Sequence, residues 1–373
     1  MCEGEMLMCV VPGKLYKEEK MSRALRMVGI GMLCLLVIGG LAISVVAASR
    51  EKIVVNTYGG AYERMMVDVI GPAFEMRYPD IQLEWSTGIG SSWLADCRAA
   101  GPENAPYDAL YINEFFADLL RRDDYYEPLT EGKVPFLKQV YDNVKNADGL
   151  GVIVWLQPIG IAYRTDLLAD MGKEPPTSWR DLWDSDYDDL RGIFTITNTA
   201  GFEFLLTCAT IFGESEYDYD AAMEAIKDLK PYKMADFSGS MELLLERGEI
   251  VVGILDRPAV TRLKKQGLPL GFVYPEEGVF MYEQVINVLK GSENKDAAFK
   301  YVNWLLSPEA QRILVETFYA VPTNFTTEIP EDLLGEILLR GEAMNDILQW
   351  DWSVHNEARD SIIEDWNKYV VGG

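Results

Sequence analysis

The chain predicts an α/β protein of two lobes, each a mainly parallel sheet flanked by helices, joined by two hinge crossovers with a ligand cleft between them. Three observations predict it. Strand-like and helix-like segments alternate three times between residues 52 and 122. A second alternating set runs from 192 to 266, and the stretches bordering it, 151–163 and 279–289, are extended and apolar, as connections between lobes should be. The chain has 373 residues, and the part beyond residue 49 is more than one hydrophobic core comfortably supports.

Lys52–Asn56 is a short β-rich run ending near Gly59-Gly60, and Met65, Val69 and Phe74 space a helix over 61–78, with Pro72 as an expected kink. Ile81–Trp85 alternates as a strand, and Ser91 or Ser92 caps a helix through Arg98. Tyr107–Ile112 is the third strand and Glu114–Arg122 the helix after it. Gln157-Pro158 is expected to interrupt 151–163, because proline is poorly tolerated inside a central strand. The second set reads as a strand at 192–197, helices at 201–212, 220–229 and 241–247, a strand at 250–255 and a helix to Gln266. From Asn294 the chain is mostly helical.

No charged residue occurs between Arg26 and Arg50. A basic start, a long apolar run and small residues at its end predict export, either by cleavage near Ala48 or Ser49 or with the segment retained as an N-terminal anchor. Cys34 is followed by Leu35-Leu-Val-Ile and suits an apolar filler better than a lipidation site. The expected division is 1–20 as a tail or mis-called start, 21–49 as signal peptide or anchor, 50–157 with 285–373 as lobe 1, and 158–284 as lobe 2.

The chain carries 59 acidic against 34 basic residues, a net charge of −25, which disfavours nucleic acid and anionic membrane surfaces. Cys97 and Cys208 fall in different expected lobes, so no disulfide framework is indicated. His355 is the single histidine, and neither a metal site nor a cofactor is expected.

Ligands of open α/β sheets sit beyond the carboxyl ends of strands. After the first strand, Tyr58, Gly59 and Tyr62 offer close backbone approach and aromatic faces beside a helix N-terminus; a tight turn with boundary aromatics explains them equally well. Ser91 after the second strand, and Asn113 and Glu114 after the third, are candidates, with helix capping and a first-turn acid as the competing accounts. In the second set Asn198 and Thr199 open a helix, Asp256 caps another, and Arg257 is able to fork onto a carboxylate or phosphate. Trp155 and Gln157 on the first crossover, and Tyr282, Glu283 and Gln284 on the return, border the cleft.

At Val55–Tyr62, Pro106–Asp108, Gly160–Tyr163, Pro176–Trp183, Glu249–Gly253, Tyr274–Gly278 and Asn294–Leu306, in that order and spacing, the chain resembles the extracellular solute-binding proteins of ABC importers. The branch is that of the spermidine/putrescine receptors, type II periplasmic binding proteins, and the resemblance runs from Lys52 to Tyr369. It implies a monomeric, exported receptor that closes on a small-molecule solute by hinge motion and delivers it to ABC permease subunits in the membrane. In that branch aromatic rings sandwich a methylene chain and carboxylates hold the ammonium ends; Tyr58 and Tyr62 match the aromatic positions and Asn113 a polar one. The second set departs, with Thr199 and Phe202 where the branch places acids, and Asp256 followed by Arg257 where it places Trp. Two solute classes therefore stand side by side: an amine held by acids such as Asp256, Glu283 or Glu114, and a carboxylate or phosphonate held by Arg257. An exported enzyme finds no Ser/His/Asp order, zinc signature or spaced carboxylate pair to support it. A ferric receptor would need adjacent tyrosines in the second lobe, but Tyr125-Tyr126 falls in the first. A membrane-tethered sensory module would require the N-terminal run to stay uncleaved.

Overall fold

The computed structural model describes residues 50–104 and 106–372, so the expectations for 1–20 and 21–49 lie outside it. Strands β1 (Glu51–Tyr58), β2 (Ile81–Gly88) and β3 (Ala109–Asn113) make parallel ladders with β1 in the middle. Helix α1 connects β1 to β2 in three contiguous pieces, Ala61–Met65, Met66–Ile70 and Gly71–Arg77, the middle one a π turn. Pro72 comes directly after that wide turn, which makes room for a ring that would clash with the carbonyl four residues back. Helix α2 (Gly90–Ala100) starts two or three residues earlier than a Ser91 or Ser92 cap would have it. Ile89 is the cap, and Ser92 Oγ bonds both its N–H, at 3.2 Å, and its carbonyl, at 2.8 Å. Helix α3 (Glu114–Arg122) follows β3 directly.

Strand β4 (Val152–Arg164) runs unbroken for 13 residues, correcting the expected interruption at Gln157-Pro158. On one edge Pro158 pairs with Met281. On the other, the neighbour changes from Leu156 paired with Val321 to Ile159 paired with Asp256. The proline sits in that gap between partners, where a missing N–H costs no ladder bond.

The chain continues through α4 (Thr165–Asp170), β5 (Arg191–Phe194), α5 (Thr199–Phe212), α6 (Tyr219–Asp228), β6 (Lys233–Ala235) and α7 (Ser238–Glu246). Then come β7 (Val252–Asp256), α8 (Arg257–Lys265), β8 (Leu270–Val273) and β9 (Phe280–Val288). Helices α9 (Lys295–Leu305) and α10 (Pro308–Phe318), the short β10 (Val321–Pro322) and α11 (Trp352–Asp365) close the chain. The strand order is β2-β1-β3-β9-β4-β7-β5-β6, with β8 and β10 pairing to β4. β5 pairs parallel with β6 and β7, whereas every ladder made by β4 or β9 is antiparallel.

Two separate hydrophobic cores flank this path. One holds Ile53, Trp93, Tyr111, Trp155 and Trp304; the other holds Trp179, Phe194, Phe204, Ile254 and Phe280. β4 passes from the first core, through Val152–Leu156, to the second, through Ile159–Ala162. β9 returns from Phe280 and Tyr282 in the second to Val285–Val288 in the first. The chain end departs from expectation. Trp352, Ile362, Trp366 and Val370 pack into the second core, although 285–373 was expected to build on the first. Asn356 of α11 ties it to α3 by donating to Phe115 O and Asp118 Oδ2, each at 3.0 Å. His355 is fully buried between Tyr219 Oη, 2.9 Å away, and Glu216 Oε1, 3.0 Å away. Cys97 and Cys208 are both free and buried.

Side chains alternate across a strand, so Glu283 points away from the face carrying Tyr282 and Gln284. Burial and the nearby Glu114 charge push its carboxyl up to about 8, with Arg121 opposing. Burial and Glu283 likewise push Glu203, on α5, well above the carboxylate range. A carboxyl that is neutral when folded, but titrates near 4.5 when unfolded, stabilises fully below about pH 4.5. That contribution is lost as pH rises through about 8. Glu283→Gln should therefore gain on wild type in thermal stability between pH 5 and pH 9, by on the order of a few kcal/mol; parallel melting curves at the two pH values would refute this.

Candidate functional site

A cleft of about 590 Å³ opens where the carboxyl ends of the parallel strands meet, bordered by β4 and β9. β1 delivers Tyr58, Gly59 and Gly60, β2 delivers Gly88, and β3 delivers Asn113. β7 delivers Asp256, and the loops after β5 and β6 deliver Thr197–Thr199 and Asp236–Gly239. This is the placement open α/β sheets favour, because strand ends and helix N-termini converge there.

The floor is aromatic. The Tyr58 and Tyr62 rings lie 5.4 Å apart between centroids, and Tyr58 also meets Trp93 at 4.8 Å and Tyr111 at 5.5 Å. The Tyr58 hydroxyl donates to Asn113 Oδ1 at 3.0 Å and accepts from the Asn113 backbone N–H at 3.3 Å. The Tyr62 hydroxyl donates to Gln157 Oε1. Tyr282 closes the floor and donates to Asn198 Oδ1 at 3.3 Å. That same oxygen caps α5 by accepting from Ala200 N at 2.9 Å, while Asn198 Nδ2 donates to Asp236 O at 3.0 Å. Gly60 holds φ at 72°, a left-handed turn that favours glycine. Gly90 lets α2 come close to α3, since a Cβ there would lie 2.4 Å from the Phe116 ring. Gly59 has no such steric requirement.

Asp256 is the charged group set deepest in the cleft, at 5 % exposure. Its Oδ1 caps α8 by accepting from Ala259 N at 2.9 Å. It has no ion-pair partner among the described residues, because Arg262 is bonded to Glu242 at 2.6 Å. Burial pushes its carboxyl up to about 6; the Ala259 bond and Arg262 oppose this, and Glu242 adds to it. The Tyr62 and Tyr282 hydroxyls are raised well above their ordinary range, first by burial and next by the Asp256 charge.

Eleven of the fifteen candidate residues are brought together here: Tyr58, Gly59, Tyr62, Ser91, Asn113, Gln157, Asn198, Thr199, Asp256, Tyr282 and Gln284. Four are not, Glu283 among them, on the opposite face of β9 from Tyr282 and Gln284. Arg257 turns out of the cleft to Glu336 at 2.5 Å and lies over the Phe272 ring at 5.3 Å, so it is not available to an anion in the cleft. Glu114 turns along α3 to Arg121 at 2.8 Å. Trp155 lies inside the first core, fully buried against Tyr111 at 4.9 Å. The residues sequence reasoning missed include Arg64, Phe237, Ser238, Glu242, Arg262 and Phe318. Phe237 and Ser238 follow the three-residue β6, which is too short for its periodicity to be read; Phe318 and Arg64 carry no local signal. Among the described residues no group of three His, Cys, Asp or Glu is placed to hold a metal ion, and no helix is long and apolar enough to cross a membrane.

The family model for bacterial extracellular solute-binding proteins matches residues 72–332. A spermidine/putrescine-binding periplasmic protein of Escherichia coli is 26% identical over 293 residues, 73% of this chain and 79% of that one. Spermidine/putrescine-binding periplasmic protein 1 of Haemophilus influenzae is 25% identical over 240 residues, and the match spans only 62% of its length and 60% of this chain. Among solved structures, an extracellular solute-binding protein from Bordetella parapertussis superimposes with a TM-score of 0.72 at 21% identity, over 86% of this chain and 99% of that one. A spermidine/putrescine ABC transporter substrate-binding protein of Streptococcus pneumoniae gives a TM-score of 0.67 at 16% identity, again over 86% and 99%. At such identities the structures establish the shared fold, and the family match covers most of the chain. With its α/β frame and its cleft at the strand ends, this chain belongs to the bacterial extracellular solute-binding proteins, a family of binding proteins and not of enzymes.

Proposed function

We propose that the protein is the solute-binding subunit of an ABC importer, taking a small amine-bearing solute into this cleft and handing it to permease subunits in the membrane. The two cores are read as two lobes, 50–157 with most of 285–373 and 158–284, that close on the solute by bending at β4 and β9. Ile89 and Phe237, each 61 % exposed on cleft walls, would gain cover on closing. Export places the receptor on the outer face of the cytoplasmic membrane or in the periplasm.

The observation that carries the amine is Asp256. A buried carboxylate without a counter-ion is costly. Here it sits beside tyrosine rings whose faces attract ammonium groups and whose apolar edges suit methylenes. The spermidine/putrescine-binding names of the relatives point the same way. A carboxylate or phosphonate solute held by Arg257 loses its anchoring residue, since Glu336 occupies that guanidinium.

Asp256→Asn keeps the helix cap, because asparagine caps as well as aspartate, while removing the charge. Calorimetry of the full chain against putrescine, spermidine and shorter monoamines should show micromolar or better binding by at least one of them. The variant should lose at least about 2 kcal/mol, or roughly 25-fold, with folding intact. Equal affinity in both proteins would sink the assignment.

The pH profile follows from the same group. Only the ionised carboxylate holds an ammonium, so affinity should be flat above about pH 7 and fall close to tenfold per unit as pH drops below about 6. Isotherms superimposing between pH 5 and pH 8 would contradict this. Arg257→Ala should leave amine affinity within about twofold while lowering thermal stability by about 1–3 kcal/mol through loss of the Glu336 contact.

A further inference from the structure

We infer that the solute carries a carboxylate as well as an amine, separated by a methylene chain: an ω-amino acid, not a polyamine. This rests on the amine reading of Asp256 and adds a second pole to it.

The second pole is set by groups that have no partner within the protein. Asn113 is 8 % exposed and lines the cleft, and its Nδ2 has no acceptor. Its orientation follows from its neighbour: the Tyr58 hydroxyl accepts from the Asn113 backbone N–H and so spends its own proton on Asn113 Oδ1, leaving Nδ2 as the free donor. Across the β3–β9 ladder Asn113 is paired in register with Gln284. Gln284 also lines the cleft, is 2 % exposed, and has an Oε1 without a donor. A buried donor and a buried acceptor side by side, both unmet, ask for a ligand that offers both kinds of group.

The donor side has more to give. The N-terminus of α2 enters the cleft at Gly90 and Ser91 with no side-chain cap on its N–H groups. The Ser92 and Trp93 N–H groups turn back to Ile89 O, at 3.0 and 3.2 Å, so those of Gly90 and Ser91 are left to bind an anion. Trp93 of this helix packs on Tyr58, which bonds Asn113, so helix end and orphan amide belong to one wall. Arg64 on the same cleft makes no ion pair among the described residues and adds a positive charge. A protonated polyamine has only donors and would leave Asn113 Nδ2 and the α2 N–H groups unmet. A dicarboxylate would leave Asp256 and Gln284 Oε1 unmet.

Spacing sets the chain. Asn113 bonds Tyr58, the Tyr58 ring lies 5.4 Å from the Tyr62 ring and tilted to it, and Tyr62 lies within reach of the Asp256 charge. Two tyrosine rings therefore separate the poles. An α-amino acid carries both charges on one carbon and would not reach across them. A chain of several methylenes lying on the two rings would.

The test is calorimetry of the full chain with ω-amino acids of four to six carbons, against diamines and dicarboxylates of the same lengths. The expected result is that an ω-amino acid binds at least about tenfold more tightly than either comparator of its length. Asn113→Asp, isosteric but without a donor, should reverse the order by weakening the ω-amino acid and strengthening the diamine. Arg64→Ala, a surface change that leaves the fold alone, should weaken the ω-amino acid several-fold and leave the diamine unchanged. Diamines binding as tightly as ω-amino acids in the wild type, with no response to either variant, would overturn the inference and leave the amine reading standing. Binding of dicarboxylates alone, or of nothing in the series, would overturn both.

Discussion

The antiparallel pairing of β4 with β9 is the constraint on which the rest of the structure depends. Among the described strands these two alone run through both hydrophobic cores, in opposite directions, so each core is anchored to the other by the same ladder. Strand alternation then decides what each face carries. Gln157, Tyr282 and Gln284 line the cleft, while Glu283 is turned beneath it toward Glu203. A polar cleft at this crossing is thus a consequence of register: a slip of one residue would place Glu283 in the cleft and Tyr282 under the sheet.

The placing of acids decides the chemistry. The chain has a net charge of −25, yet few of its carboxylates are buried, and the buried and half-buried ones have different partners. Glu114 and Asp118 share Arg121, and Glu336 holds Arg257. Asp256 has a backbone N–H and no cation, and it is the buried acid that faces the cleft. Its cost to the folded protein is the kind of stored unfavourable energy that binding of a cation relieves, which is why solute recognition is assigned to it in preference to the more numerous acids at the surface.

Much of this was legible in the sequence because the signals are local. Strand ends followed by Gly59-Gly60, Gly88-Ile89-Gly90 and Asn198-Thr199 mark helix N-termini at a sheet edge, and the rule for ligand placement, with the two crossovers, carried eleven candidates into the cleft. What was not legible depends on partners far along the chain. Arg257 reads as a free anion anchor until Glu336, 79 residues on, is seen to hold it. Pro158 reads as a strand breaker until the change of neighbour from β10 to β7 shows where its missing N–H falls. The three-residue β6 is too short for periodicity to reveal, and with it went the Asp236–Ser238 wall. The packing of Trp352 and Trp366 on the second core depends on tertiary contact that no local pattern announces.

The central claim is that Asp256 receives a cationic group while the chain of the solute lies on Tyr58 and Tyr62. A crystal structure of the full chain with its tightest-binding amine tests it most directly. The account predicts an ammonium nitrogen about 2.7–3.2 Å from an Asp256 oxygen, with methylenes over the two tyrosine rings. A solute seated elsewhere, or one meeting Asp256 with a neutral or anionic group, would contradict it.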